Sequence, residues 1–290
     1  GQNSGIAGYN QVSSVQFSMK RNSNGSYWNG TTWQAGPIPY FISVNMYVSS
    51  WTYSSMPDFT NPIYNTDSFT VQVKATDRAG NLNTLYVAGT SSSTFTVDNK
   101  APTVSISLPT TNAKRRQLLA IQGSVDDNTS TDFPYNAGLN AVNNIDVLVY
   151  YTVGSTTYYW DGAVFNSGIS ESSAWQTVDG FGPLGVSSGT WNYNALNNLQ
   201  MNPPTVMTGW ITDKSYTVKA RARDNAFPTG NLGAESSSLN VIIDTTPPTS
   251  AVTYPNLTPI RSLSTISGTS NADLAGFGNI KFSIQDQNGN

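Results

Sequence analysis

The stretch Phe95-Thr96-Val97-Asp98-Asn99-Lys100-Ala101-Pro102-Thr103 has a counterpart 146 positions later, in Val241-Ile242-Ile243-Asp244-Thr245-Thr246-Pro247-Pro248-Thr249. Other landmarks flank both copies in the same order. Ser68-Phe69-Thr70-Val71-Gln72-Val73-Lys74-Ala75-Thr76-Asp77 runs on to Ala79-Gly80-Asn81, and Ser215-Tyr216-Thr217-Val218-Lys219-Ala220-Arg221-Ala222-Arg223-Asp224 runs on to Gly230-Asn231. Tyr27-Trp28-Asn29-Gly30 matches Tyr159-Trp160-Asp161-Gly162, and Trp51-Thr52-Tyr53 matches Trp191-Asn192-Tyr193. After the prolines, Ile121-Gln122-Gly123 matches Ile266-Ser267-Gly268. Independent landmarks in one order mark an internal duplication, which confines the chain to an array of similar units.

The landmarks divide the 290 residues in three. Residues 101–246 hold a complete unit, residues 1–100 a unit without its opening strand, and residues 247–290 the opening strands of a third. Proline at Ala101-Pro102 and Pro247-Pro248 removes a backbone donor and stiffens the entry to each following unit. No signal peptide opens the chain, so it reads as a mature or excised segment.

Large apolar residues alternate with polar ones at Val15 to Met19, Phe69 to Ala75, Ile145 to Tyr150, Tyr216 to Ala222, Leu239 to Ile243 and Ile280 to Ile284. A period of two gives each strand one buried and one solvated face. Gly, Asn, Ser, Asp and Pro fill the intervals with turn chemistry, and no stretch carries a capped helical period. Strands without helices predict an all-β chain of two-sheet sandwiches with Greek-key connections. Each unit exceeds a plain sandwich of about 100 residues. The surplus lies between Trp28 and Asp77, and between Trp160 and Asp224, and its unequal length predicts a surface excursion.

Composition narrows the function classes. Charged residues are 11% and aromatics 11%, with a formal charge of −3; aromatics at that level build real cores. The one basic run, Lys114-Arg115-Arg116, is too little for counterion release, so nucleic acid is not expected as a partner. No apolar run reaches the ~20 residues of a membrane span. Cysteine and histidine are both absent, which excludes thiolate nucleophiles, disulfides and Cys- or His-ligated zinc, and removes the commonest general base. The chain is therefore not expected to be an enzyme. Its Ser/Thr/Asn-rich, cysteine-free composition favours an extracellular bacterial setting.

The run Ala75-Thr76-Asp77-Arg78-Ala79-Gly80-Asn81, followed by a strand and Val97-Asp98-Asn99-Lys100-Ala101-Pro102-Thr103, resembles bacterial Ig-like repeats, close in outline to cadherin-like and fibronectin-type modules. The resemblance spans nearly the whole chain. The second copy departs from it with an insertion, Asn225 to Thr229, before Gly230-Asn231. It implies tandem Ig-like domains in an elongated array, as in the stalks of large surface adhesins.

Related modules can bind calcium near domain junctions, and the resemblance extends that expectation to Asp77, Asn81, Asp98, Asp126, Asp127, Asp224, Asn231, Asp244 and Asp273. Calcium needs about 6–8 oxygen ligands. Each junction could gather the strand-end Asp, the linker Asp, the Asn and an Asp of the next unit. The alternative is that each Asp ends its strand by accepting from nearby amides. Asp126-Asp127 also meets the minimal description of a carboxylate pair, although neighbours in a polar loop usually diverge. Trp28, Trp160, Trp51 and Trp191 recur at matching landmarks, which suits packing. Trp175 and Trp210 have no counterpart and are candidates for exposed ligand contacts.

These observations predict a structural segment of a large extracellular surface protein, forming a stalk or filament for spacing, assembly or adhesion. Its partners would be neighbouring repeats or copies of itself, the latter through strand complementation. A carbohydrate-binding module that uses exposed Trp and Tyr on cell-surface glycans is the alternative.

Overall fold

In a computed structural model, the protein is described at residues 12–47, 50–132, 134–139, 144–182, 187–194, 196, 210–256, 258–272, 275–276 and 278–285. It is nearly all β, with 44% strand and 5% helix arranged in several antiparallel sheets. Two compact units result: Gly1–Pro102 with Asp126–Leu139 and Asp224–Leu232, and Thr103–Val125 with Asn140–Arg223 and Gly233–Asn290.

In the first unit, β1 (Val12–Arg21), β2 (Tyr27–Trp28), β3 (Trp33–Gln34), β4 (Ile42–Ser43), β7 (Ser68–Asp77) and β8 (Ser92–Thr96) form one sheet. Its order is β3-β2-β1-β7-β8, with β4 also on β1. The long β1–β7 ladder sets Phe17 opposite Val73 and Met19 opposite Val71. The alternation read in the sequence turns Phe17, Met19 and Phe69 inward, where Trp28, Tyr64 and Val97 complete the core. A separate two-stranded sheet joins β5 (Asn45–Met46) to β6 (Trp51–Thr52).

The second unit holds β9 (Thr103–Leu108), β10 (Ala113–Arg115), β11 (Ile121–Asp126), β12 (Ile145–Val153), β13 (Thr156–Trp160), β14 (Phe165–Asn166) and β15 (Gln176–Thr177). It continues with β16 (Gly180–Gly182), β17 (Ser188–Tyr193), β18 (Lys214–Ala222), β19 (Leu239–Ile243), β20 (Thr249–Tyr254) and β21 (Ser267–Asn271). One sheet runs β10-β19-β18-β12-β13-β14 with β15 on β12, and a second runs β16-β17-β11-β9. Val147 and Val149 of β12, Tyr216 and Val218 of β18, and Ile121 and Val125 of β11 are all buried. The order β14-β13-β12-β18-β19 with β15 on β12 reproduces the pairing of β3-β2-β1-β7-β8 with β4 on β1.

Two expectations need correction. The long excursion is more than surface: it supplies β16 and β17, and its Trp191 and Tyr193 are buried. Ile280 to Ile284 forms no strand and stays exposed, because no counterpart of the β13 and β18 that flank β12 lies beside it among the described residues. No helix among the described residues is long and apolar enough to cross a membrane.

Candidate metal centre

Asp98, Asp127 and Asp224 converge within the first unit. One carboxylate oxygen from each lies within 4.8 Å of the others. Asp98 follows β8 and its neighbour Val97, whose amide bonds to the Asp67 carbonyl at 2.9 Å. Asp127 directly follows β11, and Asp224 follows β18 by two residues. Alternation ends at each of these places, so the chain turns and the carboxylate takes up the freed amides.

The contacts are specific. Asp98 Oδ1 accepts from the Lys100 amide at 3.1 Å and Oδ2 from the Ala137 amide at 2.5 Å. Asp127 Oδ2 accepts from the Gly138 amide at 2.6 Å, and the Asn136 side chain donates to the Asp127 carbonyl. Asp224 Oδ1 accepts from the amides of Ala226 (2.9 Å) and Asn231 (2.7 Å). The Asn231 amide group donates to Asp224 Oδ2 at 2.8 Å and to the Asp98 backbone carbonyl at 3.0 Å, which ties the Asp224 carboxylate to the Asp98 backbone.

Asp127 Oδ1 is left over. Asp127 is fully buried, and this oxygen has no hydrogen-bond partner among the described residues. A buried carboxylate oxygen without a donor is costly, and more so among like charges. Burial pushes the Asp127 carboxyl up to about 7 against the pull of the Gly138 amide, and Asp98, Asp224 and Asp126 add to the rise. Burial also raises Asp98 above the usual carboxylate range, with Asp224 and Asp132 contributing. The nearby Lys100 is engaged with Asp132.

A hard divalent cation would offset this gathering of negative charge. Oxygens bound to one calcium at about 2.3–2.6 Å can be no more than about 5 Å apart, whereas magnesium at about 2.0–2.1 Å brings them within about 4 Å. The three oxygens are close enough together to share one calcium, and an all-oxygen donor set does not suit zinc. Three carboxylates leave several of calcium's ligand positions to water or neighbouring carbonyls.

The remaining residues expected at such a site lie elsewhere. Asp77 accepts from the Asn81 amide and side chain, both at 2.8 Å, and its carboxyl is held below the usual range by those bonds. Asp77 and Asn81 thus close their own loop, as Asp224 and Asn231 do, and Asp77 does not join Asp98. Asp126 is the last residue of β11, and its charge adds to the rise at Asp127. Asp244 repeats the Asp98 pattern, accepting from the amides of Thr246 (3.1 Å) and Ala275 (2.7 Å). Asp273 lies outside the described residues. Sequence reasoning missed Asn136, Ala137 and Gly138, and the only hint was the matching Ala-Gly at Ala275-Gly276.

Trp210 corrects the expected exposed contact. It is 2% exposed, with its ring 4.7 Å from Tyr216 and 5.8 Å from Phe165, so it belongs to the core. Trp175 is half-buried, and the Arg221 guanidinium sits 4.3 Å from its ring centroid, which covers one stacking face. Within the first unit, an open cleft of about 910 Å³ is lined by Phe59, Phe95, Asn99, Tyr135, Asn225 and Phe227, among others.

The linkage sign follows from the raised pKa values. In chelator, folded Asp127 and Asp98 hold protons that the unfolded chain has released. Their contribution to stability is therefore fully present below the ordinary carboxylate pKa of 3.8 and is lost as pH rises from there through about 7. Thermal unfolding in EDTA between pH 5 and 8 checks this, and a midpoint that climbs across that window would contradict it.

No family model matches the chain, and no curated protein sequence matches it at a significant level.

Proposed function

We propose that the chain is a structural segment of tandem Ig-like β-sandwich repeats from an extracellular surface protein, forming a stalk or filament for spacing, assembly or adhesion. A calcium ion held by Asp98, Asp127 and Asp224 serves it as a structural ion that fixes loops from three distant stretches of chain. One observation carries this reading: the same strand pairing recurs in two places, on matching landmarks, with Trp28 and Trp160 buried at the same position. A chain that repeats its framework invests in extension, and its matching residues serve packing and loop closure. The Asp-to-Asn loops, Asp77 to Asn81 and Asp224 to Asn231, are the repeated closures. Immunogold labelling of the source cells with antibody to residues 101–246 tests the proposal. Label on surface fibres is the expected result; label confined to the cell interior would overturn it.

A second reading rests on the cleft beside Asp98. Phe227 is 97% exposed there, and Tyr135 is exposed too, in the company of Asn99 and Asn225. Exposed aromatic faces among amide side chains suit a sugar, so the cleft replaces Trp210 as the place for a surface glycan. Glycan-array binding that survives Phe227→Ala would remove this reading.

A further inference from the structure

The two units finish the same sheet face in different ways. In the second unit Asp146 of β12 lies opposite Arg221 of β18, on the side away from Val147 and Val149, and the two form an ion pair at 3.0 Å. The Arg221 guanidinium also rests on Trp175, the residue before β15. In the first unit the matching places hold Gln16 of β1, Lys74 of β7 and Phe41, the residue before β4. Lys74 Nζ lies 3.9 Å from the centroid of the Phe41 ring, so the cation–aromatic pair is kept and Trp175 has a counterpart after all. The carboxylate is not kept. Glutamine stands in the place of Asp146, and among the described residues Lys74 forms no ion pair.

Beside this pair the first unit carries a bulge that the second lacks. The Asn83 amide donates to the Ala75 carbonyl as the Gly233 amide does to that of Ala222, and farther on Ser91 bonds to Val73 as Ser236 does to Ala220. Seven residues lie between Asn83 and Ser91, but two between Gly233 and Ser236. One of those two is Glu235, which binds Lys219 at 3.0 Å. The seven are uncharged. Tyr86 stacks on Phe41 with 6.2 Å between ring centroids, whereas Leu85 is 72% exposed and Val87 is exposed too. From Arg78 to Val97 there is no acidic residue, and Arg78 is exposed without a partner among the described residues. The Asp77 carboxylate is taken up by Asn81. The same face is open in the second unit, where the Glu171 and Glu235 side chains are each 44% exposed, so openness belongs to the unit itself.

The bulge also pairs its own backbone. The Val87 amide donates to Ser91 Oγ at 2.9 Å, and that hydroxyl donates to the Leu85 carbonyl at 3.0 Å. The Val87 carbonyl accepts from the amides of Thr90, Ser91 and Ser92, and the Leu85 amide donates to Asn83 Oδ1 at 3.1 Å. A segment entering a hydrocarbon boundary must arrive with such groups already paired. Exposed aliphatic tips, a tyrosine behind them and two cations without an ion-pair partner complement an anionic bilayer surface.

We infer that this face of the first unit docks on a membrane surface bearing anionic lipid. Leu85 and Val87 enter the boundary between headgroups and acyl chains, Tyr86 lies at headgroup level, and Lys74 and Arg78 meet the negative headgroups. The inference goes beyond the repeat reading and stands on the first unit alone.

Cosedimentation of the 290-residue chain with vesicles tests it, in EDTA so that no divalent cation bridges carboxylate and headgroup. The vesicles are phosphatidylcholine alone, or phosphatidylcholine with an equal part of phosphatidylglycerol. The expected result is binding to the anionic vesicles that weakens as salt rises, and binding about 10-fold weaker to phosphatidylcholine alone. Replacing both tips, Leu85→Ser with Val87→Ser, lowers partitioning by about 30-fold or more, and Arg78→Gln lowers it by about 5-fold. Leu232→Ser, on the matching loop of the second unit, leaves it unchanged. Circular dichroism of each variant matching the parent excludes misfolding. The chain has no cysteine, so Leu85→Cys takes a single nitrobenzoxadiazole label, whose emission rises and shifts to the blue on anionic vesicles. Failure to sediment with anionic vesicles, equal binding to both compositions, or binding indifferent to the paired serines would overturn the inference. So would capture on polyglutamate beads without vesicle binding, which would give the face to an acidic protein. Surface fibres in the source cells, from a chain that ignores vesicles, would leave the repeat reading standing and remove only this partner.

Discussion

Trp191→Ala should lower the stability of the second unit by about 3–5 kcal/mol, whereas Trp51→Ala, at the matching position, should cost less than about 1 kcal/mol. The residues are alike and so are their strands; the difference lies in what covers them. Trp191 is enclosed by β11 and hydrogen-bonded to Ser124, and its removal leaves a large cavity over Gly123. Trp51 is partly exposed and stacks only loosely on Phe17, at 6.4 Å between ring centroids. Gly123→Ala should cost about 3 kcal/mol, since the added methyl meets both ring and backbone carbonyl and the carbonyl cannot yield. The double variant should cost less than the sum, because the ring part of the clash is then gone. Urea unfolding followed by far-UV circular dichroism reads all four. Equal losses for Trp191→Ala and Trp51→Ala would show that the covering strand contributes nothing.

Calcium should raise the stability of the first unit by about 2.7 kcal/mol when supplied at about 100 times its dissociation constant, moving the unfolding midpoint up by roughly 5–10 °C. Asp127→Asn separates this from a general salt effect. The amide keeps an oxygen for the Gly138 N–H and removes a charge from between Asp98 and Asp224. In EDTA the variant should match or exceed the parent in stability, because an uncompensated buried carboxylate has been neutralised. With calcium its midpoint should stay still. A variant that is destabilised in EDTA yet still shifts with calcium would assign Asp127 a purely local role.

Much of the framework was legible because alternation survives wherever a strand is long and has one buried face. Val15 to Met19, Phe69 to Ala75, Ile145 to Tyr150 and Tyr216 to Ala222 all lie within strands. The second sheet was harder to read. Strands β16 and β17 are short, and Gly180-Phe181-Gly182 shows one apolar residue between two glycines, too little for a period. Trp210 was misjudged because having no counterpart was taken as a sign of exposure, whereas burial is set by what packs around the ring, here Phe165 and Tyr216.

The site was half legible. Asp98, Asp127 and Asp224 stood among nine candidates, but the grouping by order along the chain set Asp77 beside Asp98. Strand direction decides otherwise: Asp224 follows a later strand by two residues and is joined to the Asp98 backbone through Asn231. The same Asp-to-Asn closure, over four residues at Asp77 and seven at Asp224, serves a local loop in one copy and a cluster in the other. The distinguishing element is the Asn136-Ala137-Gly138 stretch beside Asp127, whose Ala137 and Gly138 amides serve Asp98 and Asp127 and carry no side-chain signature.

Calorimetric titration of the cation-free chain with calcium at pH 7.5 tests the centre most directly. Saturable binding of one calcium ion by the Asp98–Asp127–Asp224 cluster, absent from Asp127→Asn, is the predicted result. No binding at millimolar calcium, or the same isotherm from the variant, would contradict it.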